Sequence, residues 1–153
     1  MQALELKVPP PAVALLAAAA MWGVASVTAR IEIPVLVRAS AALAFAIAGV
    51  GMAISGVIAF RLARTTISPV KPDASSSLVT SGVYRFTRNP MYLGLCLVLL
   101  AWASFLSSAL AFLGPILFIF YINRFQIVPE ETALSRIFGA AFSNYQVKVR
   151  RWL

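Results

Sequence analysis

Three stretches of this chain carry no charge at all: Val8 to Ala29, Ala39 to Phe60 and Asn89 to Asn123. Each of the first two matches the roughly 20 residues that an α-helix needs to cross the hydrocarbon core of a bilayer. The third is longer. At 1.5 Å per residue its roughly 35 residues would extend about 52 Å as one helix, against a core about 30 Å thick. A helical hairpin fits better, with helices from about Pro90 to Ala103 and from about Ala109 to Val128 and a turn near Ser104 to Ser108. Pro115 is a candidate kink in the second of these helices, and Arg124 would snorkel toward the interface.

Composition supports the membrane reading. Of 153 residues 61% are hydrophobic and 12% are charged, against about 25% charged in a soluble domain. A cleaved signal peptide is the other reading of the first run. Its flank carries Glu5 as well as Lys7, and the run exceeds the roughly 7 to 15 apolar residues of such a peptide, so we read it as a helix. The expected fold is all-α, with about four transmembrane helices and a C-terminal amphipathic helix. Residues 1–64 would supply two supporting helices and residues 65–153 the functional unit, all within one compact membrane domain.

Charge predicts the orientation. Of the 13 Lys and Arg residues, only Arg30 and Arg38 fall between the first two helices. The rest lie in the N-terminal segment, the 61–88 loop or the C-terminal segment. With four spans these three regions share one side, and the positive-inside rule makes that side cytoplasmic, with both termini there. The net charge of +8 is then explained by topology and anionic lipid, with no role for nucleic acid. Histidine is absent and Cys96 is the only cysteine. An intramolecular disulfide, a Cys/His zinc site and an imidazole base are all excluded.

The polar chemistry collects in two places. Before the hairpin runs "LVTSGVYRFTRNPMYLG", whose first part mixes β-branched residues with glycine and suits an extended segment with free backbone donors and acceptors. The "SSS" upstream reads as a flexible tip. After the hairpin comes "VPEETALSRIFGAAFSNYQVKVRRWL". Pro129 with Glu130 and Glu131 reads as a helix start. Leu134, Ile137, Phe138, Ala141, Phe142 and Tyr145 then recur at helical intervals as one apolar face. Lys148, Arg150, Arg151 and Trp152 read as an interfacial anchor.

A hairpin returns the chain to its starting side, so both polar regions should meet there. Taken singly, each residue also has a plainer role. Arg85 and Arg88 suit lipid head groups, Tyr84 and Tyr92 an aromatic belt, and Glu130 and Glu131 a helix dipole. Gly82 and Gly94 suit a turn and close helix packing, and Cys96 suits packing.

The order and spacing of the two blocks resemble the C-terminal half of the isoprenylcysteine carboxyl methyltransferase family and its phospholipid methyltransferase relatives. The likeness covers residues 66 to 152. It implies an integral membrane enzyme that uses S-adenosylmethionine to methylate a lipophilic acceptor: a carboxylate, a thiol or a head-group amine. It also implies a cofactor site built from Leu78, Val79, Gly82, Tyr84, Arg88, Asn89, Pro90, Tyr92, Gly94, Glu130 and Glu131, with Arg88, Asn89 and Tyr92 nearest the chemistry. Phe138, Gly139 and Tyr145 would help to close it.

Within that resemblance Arg88 suits the cofactor carboxylate, a glutamate suits the ribose hydroxyls or amino group, and tyrosine faces suit the sulfonium. Asn89 stands where the family usually has histidine. It can hydrogen-bond but cannot exchange a proton near neutral pH. Two other readings stay open: a reductase binding NADPH through Arg85, Arg88 and Lys71, and a non-catalytic membrane scaffold.

Overall fold

The structure, a computed structural model, describes residues 5–63 and 77–153. Among them every regular element is helical. Helix α1 spans Pro10–Val27, α2 Val35–Leu62 and α3 Pro90–Leu106. Helix α4 (Leu113–Ile122) follows a 3-10 turn at Ala109–Phe112 and continues through a π-helical turn at Asn123–Ile127 into α5 (Val128–Phe138). Helix α6 spans Ala140–Lys148. The apolar helices open on or just after Pro10, Pro34 and Pro90. Proline suits this place because the first-turn N–H it lacks would have had no helical partner.

Three helical stretches are long and apolar enough to cross a membrane: Pro10–Val27, Val35–Leu62 and Ala109–Phe138. The apolar α3, at 17 residues, runs between them. Side-chain contacts define the directions. Gly49 of α2 meets Gly94 and Val98, whereas Gly56 meets Pro90 and Met91, so α2 and α3 are antiparallel. Trp102 donates its indole N–H to the Ala18 carbonyl at 3.1 Å, and Thr28 and Ser108 share a 3.0 Å hydroxyl contact, so α1 runs with α3. Helix α4 returns beside both.

The core lies where α1, α3 and α4 meet, around Met21, Cys96, Leu99, Phe118 and Ile122. The outer faces are apolar: Leu15, Leu36, Leu43, Ile47 and Phe120 are all largely exposed. In water that surface would drive association, whereas lipid matches it.

The hairpin turn falls where the serines predict, although α3 runs three residues further than expected, to Leu106. Ser107 takes a left-handed conformation, φ 55° and ψ 40°. Its N–H caps back to the Ala103 carbonyl at 3.2 Å, and its Oγ and carbonyl exchange 2.7 Å hydrogen bonds with the carbonyl and N–H of Ile31. Pro115, the candidate kink, is the third residue of α4, in its first turn just after the 3-10 turn, a place proline suits because the N–H it lacks would have had no helical partner. The helix is irregular at the π-helical turn Asn123–Ile127, where Pro129, four residues after Phe125, has no N–H to give to the Phe125 carbonyl. That carbonyl accepts from the Leu6 N–H at 3.1 Å.

Arg124 pairs with Glu5 at 2.7 Å and ties down the N-terminal segment. Three further expectations are corrected. Helix α2 begins at Val35, so Arg38 lies in its first turn instead of in a loop. Pro129, Glu130 and Glu131 do not open a new helix after a loop, because α4 and α5 are continuous through the π-helical turn. The C-terminal amphipathic helix is two helices, broken at Gly139 with φ 49° and ψ −123°, a backbone conformation that favours glycine. The segment Arg64–Ser76, with Lys71, most of the "SSS" tip and the 64/65 boundary, lies outside the described residues.

Candidate active site

The hairpin brings its two flanking polar blocks to one end of the bundle. Residues Leu78–Thr80 are irregular, and Gly82–Arg85 form a 3-10 turn entered through Gly82 at φ 60°. Of the segment expected to be extended, Ser81 is so, with φ −98° and ψ 171°, and the 3-10 turn takes over from Gly82. Val79 and Tyr84 pack on Ala59 at the end of α2, where the Tyr84 ring meets Phe60 edge-on at 5.4 Å. Leu78 packs on the opposite side, against Phe142, Tyr145 and Val149. This short segment thus wedges the end of α2 against the C-terminal helices.

Arg88 is the centre of the join. Its Nη2 donates to Glu131 Oε1 at 2.8 Å, and its Nη1 to the carbonyls of Val149 at 2.9 Å and Gln146 at 3.1 Å. Its backbone N–H donates to the Arg150 carbonyl at 3.0 Å. Glu131 also receives Arg151, through Nη2 to Oε2 at 2.6 Å and Nε to Oε1 at 3.2 Å. One carboxylate therefore holds two guanidinium groups. The Arg88 fork, expected to take a cofactor carboxylate, is occupied by the protein itself; its Nε–H is buried without a partner.

Asn89 occupies the N-cap position of α3, yet its side chain does not cap the helix. Its amide donates to the Arg151 carbonyl at 2.9 Å, and the fully buried Thr87 reaches the same carbonyl at 3.3 Å. Trp152 is also tied to the bundle, its indole N–H donating to Asn123 Oδ1 at 3.1 Å. Of the expected interfacial set, Lys148 and Arg150 remain exposed, while Arg151 and Trp152 are folded back into the protein.

Tyr92 and Glu130 form the second cross-link. The Tyr92 hydroxyl donates to Glu130 Oε1 at 2.5 Å, one turn into α3. The other Glu130 oxygen has no hydrogen-bond partner among the described residues. Tyr145 closes the far side by donating to the Tyr84 carbonyl at 2.7 Å. Burial pushes the Tyr145 hydroxyl up to about 12, with Arg88 pulling the other way. Burial also raises Tyr84, helped by the nearby Tyr145 and Glu130. Both phenols stay protonated at neutral pH, and Tyr145 uses its proton as a donor.

Tyr145→Phe removes the donor and leaves the Tyr84 carbonyl unpaired in a buried place. We expect a loss of about 1 to 2 kcal/mol, read as a lower midpoint in detergent thermal unfolding.

Of the expected site residues, Arg88, Asn89 and Glu131 share one network through Arg151, Tyr92 pairs with Glu130, and Tyr84 is held by Tyr145, with Leu78, Val79 and Gly82 alongside. Pro90 and Gly94 are turned elsewhere, onto α2, where a Cβ on Gly94 would lie 2.6 Å from the Gly49 carbonyl oxygen. Their place is helix packing. Phe138 joins the cluster around Tyr145. Sequence reasoning missed Thr87 and the backbone of Gln146–Arg151 as partners of Arg88 and Asn89, because carbonyl acceptors leave no mark in residue type. Arg85, one cation of the reductase reading, points to solvent.

The sequence model of the phospholipid methyltransferase family matches residues 37–141, from the first turn of α2 into α6. An uncharacterized protein of Haemophilus influenzae is 56% identical over 63 residues, which is 41% of this chain and the whole of that protein. No solved structure matches. A match across more than half of the chain, taking in most of the helix bundle and both halves of the polar cluster, makes this protein a member of the phospholipid methyltransferase family.

Proposed function

We propose that the protein transfers a methyl group from S-adenosylmethionine to an acceptor held in the membrane. The supporting observation is the junction of the 78–92 segment with Glu130 and Glu131 at one end of an apolar bundle, in a chain of this family. Water-borne cofactor and lipid-borne acceptor meet at such an end.

The residues present fit a polar cofactor. Among the described residues no hydrogen bond uses the N–H groups of Leu78, Val79 and Thr80. The second Glu130 oxygen and Arg88 Nε are likewise unpaired. Glu130 would accept from the ribose hydroxyls or the amino group, and the 78–82 backbone would supply donors and acceptors. Arg88, already committed to Glu131 and two carbonyls, is a positioning residue that holds the C-terminal wall in place. The bound cofactor supplies an already activated methyl group, so the protein's work is alignment and exclusion of water. Asn89, bound to the Arg151 carbonyl, takes no proton. An anionic carboxylate or thiolate acceptor needs no base, whereas an ammonium acceptor must first lose a proton, which Glu130 or water would take.

Calorimetric titration of the detergent-purified protein with S-adenosylhomocysteine, with NADPH alongside, tests this reading. Micromolar binding of the first alone is expected. Glu130→Gln should weaken it about tenfold by removing a charged acceptor, while leaving an amide oxygen for Tyr92. Binding of neither ligand by folded protein would transfer the site to a non-catalytic scaffold, and binding of NADPH alone to a reductase.

A further inference from the structure

Along α3, from Leu95 three residues beyond Tyr92 to Phe105 at the far end of the bundle, the helices leave a second feature. Helices α1 and α2 both pack on α3 but spread apart from one another. Between them lies an open groove of about 800 Å³, floored by Leu95, Leu99 and Trp102 and walled by small residues such as Ala14 and Ala42. All of its lining side chains are apolar apart from the Trp102 indole N–H, which is bonded to Ala18. From Leu95 to Phe105 the floor runs about 15 Å along α3, half of the roughly 30 Å hydrocarbon core. The groove is one leaflet deep.

Its outer mouth carries a cation. Arg38 lies beside Ala39, its guanidinium 5.7 Å from the centre of the Phe105 ring. It makes one long hydrogen bond, Nη1 to the Phe105 carbonyl at 3.5 Å, and its Nε–H is buried without a partner. Among the described residues no carboxylate pairs with it, and the exposed Glu32 stands off in the preceding loop. A cation in the first turn of a helix also opposes the helix dipole. An anion at this mouth would relieve both conditions, and a phosphate matches the guanidinium fork.

We propose that this groove binds one anionic glycerophospholipid of the leaflet opposite the candidate active site, with an acyl chain against Trp102 and its phosphate on Arg38. The depth of the groove matches one leaflet, and the charge at its mouth matches the head group. A helix from a second copy would cross both leaflets and bring no anion to Arg38. The lipid is structural: it fills the wedge between α1 and α2 and is not the methyl acceptor.

Native mass spectrometry of the full chain in detergent, titrated with palmitoyl-oleoyl phosphatidylglycerol, reads this directly. One lipid per chain should be retained, and palmitoyl-oleoyl glycerol, which lacks the phosphate, should not. Arg38→Gln should weaken retention about fivefold, the effect of one basic residue near a head group. Ala42→Phe, which fills the groove, should abolish it. Arg30→Gln, in the exposed loop, should leave it unchanged. Equal retention by wild type, Arg38→Gln and Ala42→Phe would overturn the proposal, as would equal retention of the phosphate-free lipid. A dimer lost on Ala42→Phe would also overturn it, by giving the groove to a second copy. Thermal midpoints recorded alongside confirm that each variant is folded.

Discussion

Glu131→Gln should free the C-terminal segment. In the native protein the two Glu131 oxygens accept three hydrogen bonds, from Arg88 at 2.8 Å and from Arg151 at 3.2 Å and 2.6 Å. Glu131 and Arg88 are mostly shielded, with side-chain exposures of 15% and 12%, while Arg151 is 37% exposed. Glutamine keeps the volume but removes the charge and turns an amide donor toward two guanidinium groups that can only donate. Breaking one side of a shielded ion pair leaves the partner charge uncompensated, a loss of about 3 kcal/mol. The released element would be the stretch from Gln146 to Trp152, which Arg88, Asn89 and Thr87 otherwise hold by its carbonyls. If opening precedes cleavage, that loss is about a hundredfold in the open population. Limited trypsin digestion should show it as faster cutting after Arg150 and Arg151. Equal cleavage rates in the two proteins would mean that the carboxylate does not hold the tail.

Gly94→Leu should loosen the bundle itself. A Cβ there would sit 2.6 Å from the Gly49 carbonyl oxygen and 2.9 Å from both the N and the Cβ of Ala53. Two of those atoms are backbone, so the strain is relieved only if α2 shifts away from α3. That interface is the most extensive helix contact among the described residues. Overpacking of this kind costs about 1 to 3 kcal/mol, and a leucine at a backbone contact belongs at the upper end. Cys96, buried two residues along α3, reports it: maleimide labelling of its thiol should be accelerated in the variant. Gly51→Leu is the control, because a Cβ on Gly51 meets nothing within 4 Å. Similar labelling of Gly94→Leu and wild type would remove the close helix approach from the account.

Asn89 and Gly94 show how far residue types could be read. Both stood in the expected cofactor set on the strength of family likeness. The tertiary arrangement gives one to the Arg151 carbonyl and the other to the α2 contact. Gly94 also admitted a packing role from sequence alone, since small residues permit close helix approach in a membrane. Nothing in the sequence marked Arg151 as the partner of both Glu131 and Asn89. Its terminal position, beside Arg150 and Trp152, reads equally well as an anchor in lipid. The break at Gly139 was hidden for a related reason. The apolar spacing continues across it, and a glycine at the end of one helix looks the same in sequence as one inside a longer helix.

The uncharged runs by themselves determined the apolar helices, the hairpin after Asn89 and its turn at the serines, because the length of a helix and the thickness of a bilayer leave few ways to arrange them. They also implied that the two polar blocks meet at one end, since a hairpin must return. Only the tertiary structure decided which atoms meet there: Arg88 on Glu131 and two carbonyls, Tyr92 on Glu130, and Arg38 at the mouth of a groove. The physical reason is that hydrophobic burial depends on pattern and is legible along the chain, whereas hydrogen bonds depend on direction over a few tenths of an ångström. Their partners are separated by up to 119 residues in sequence, and many are backbone carbonyls that every residue carries.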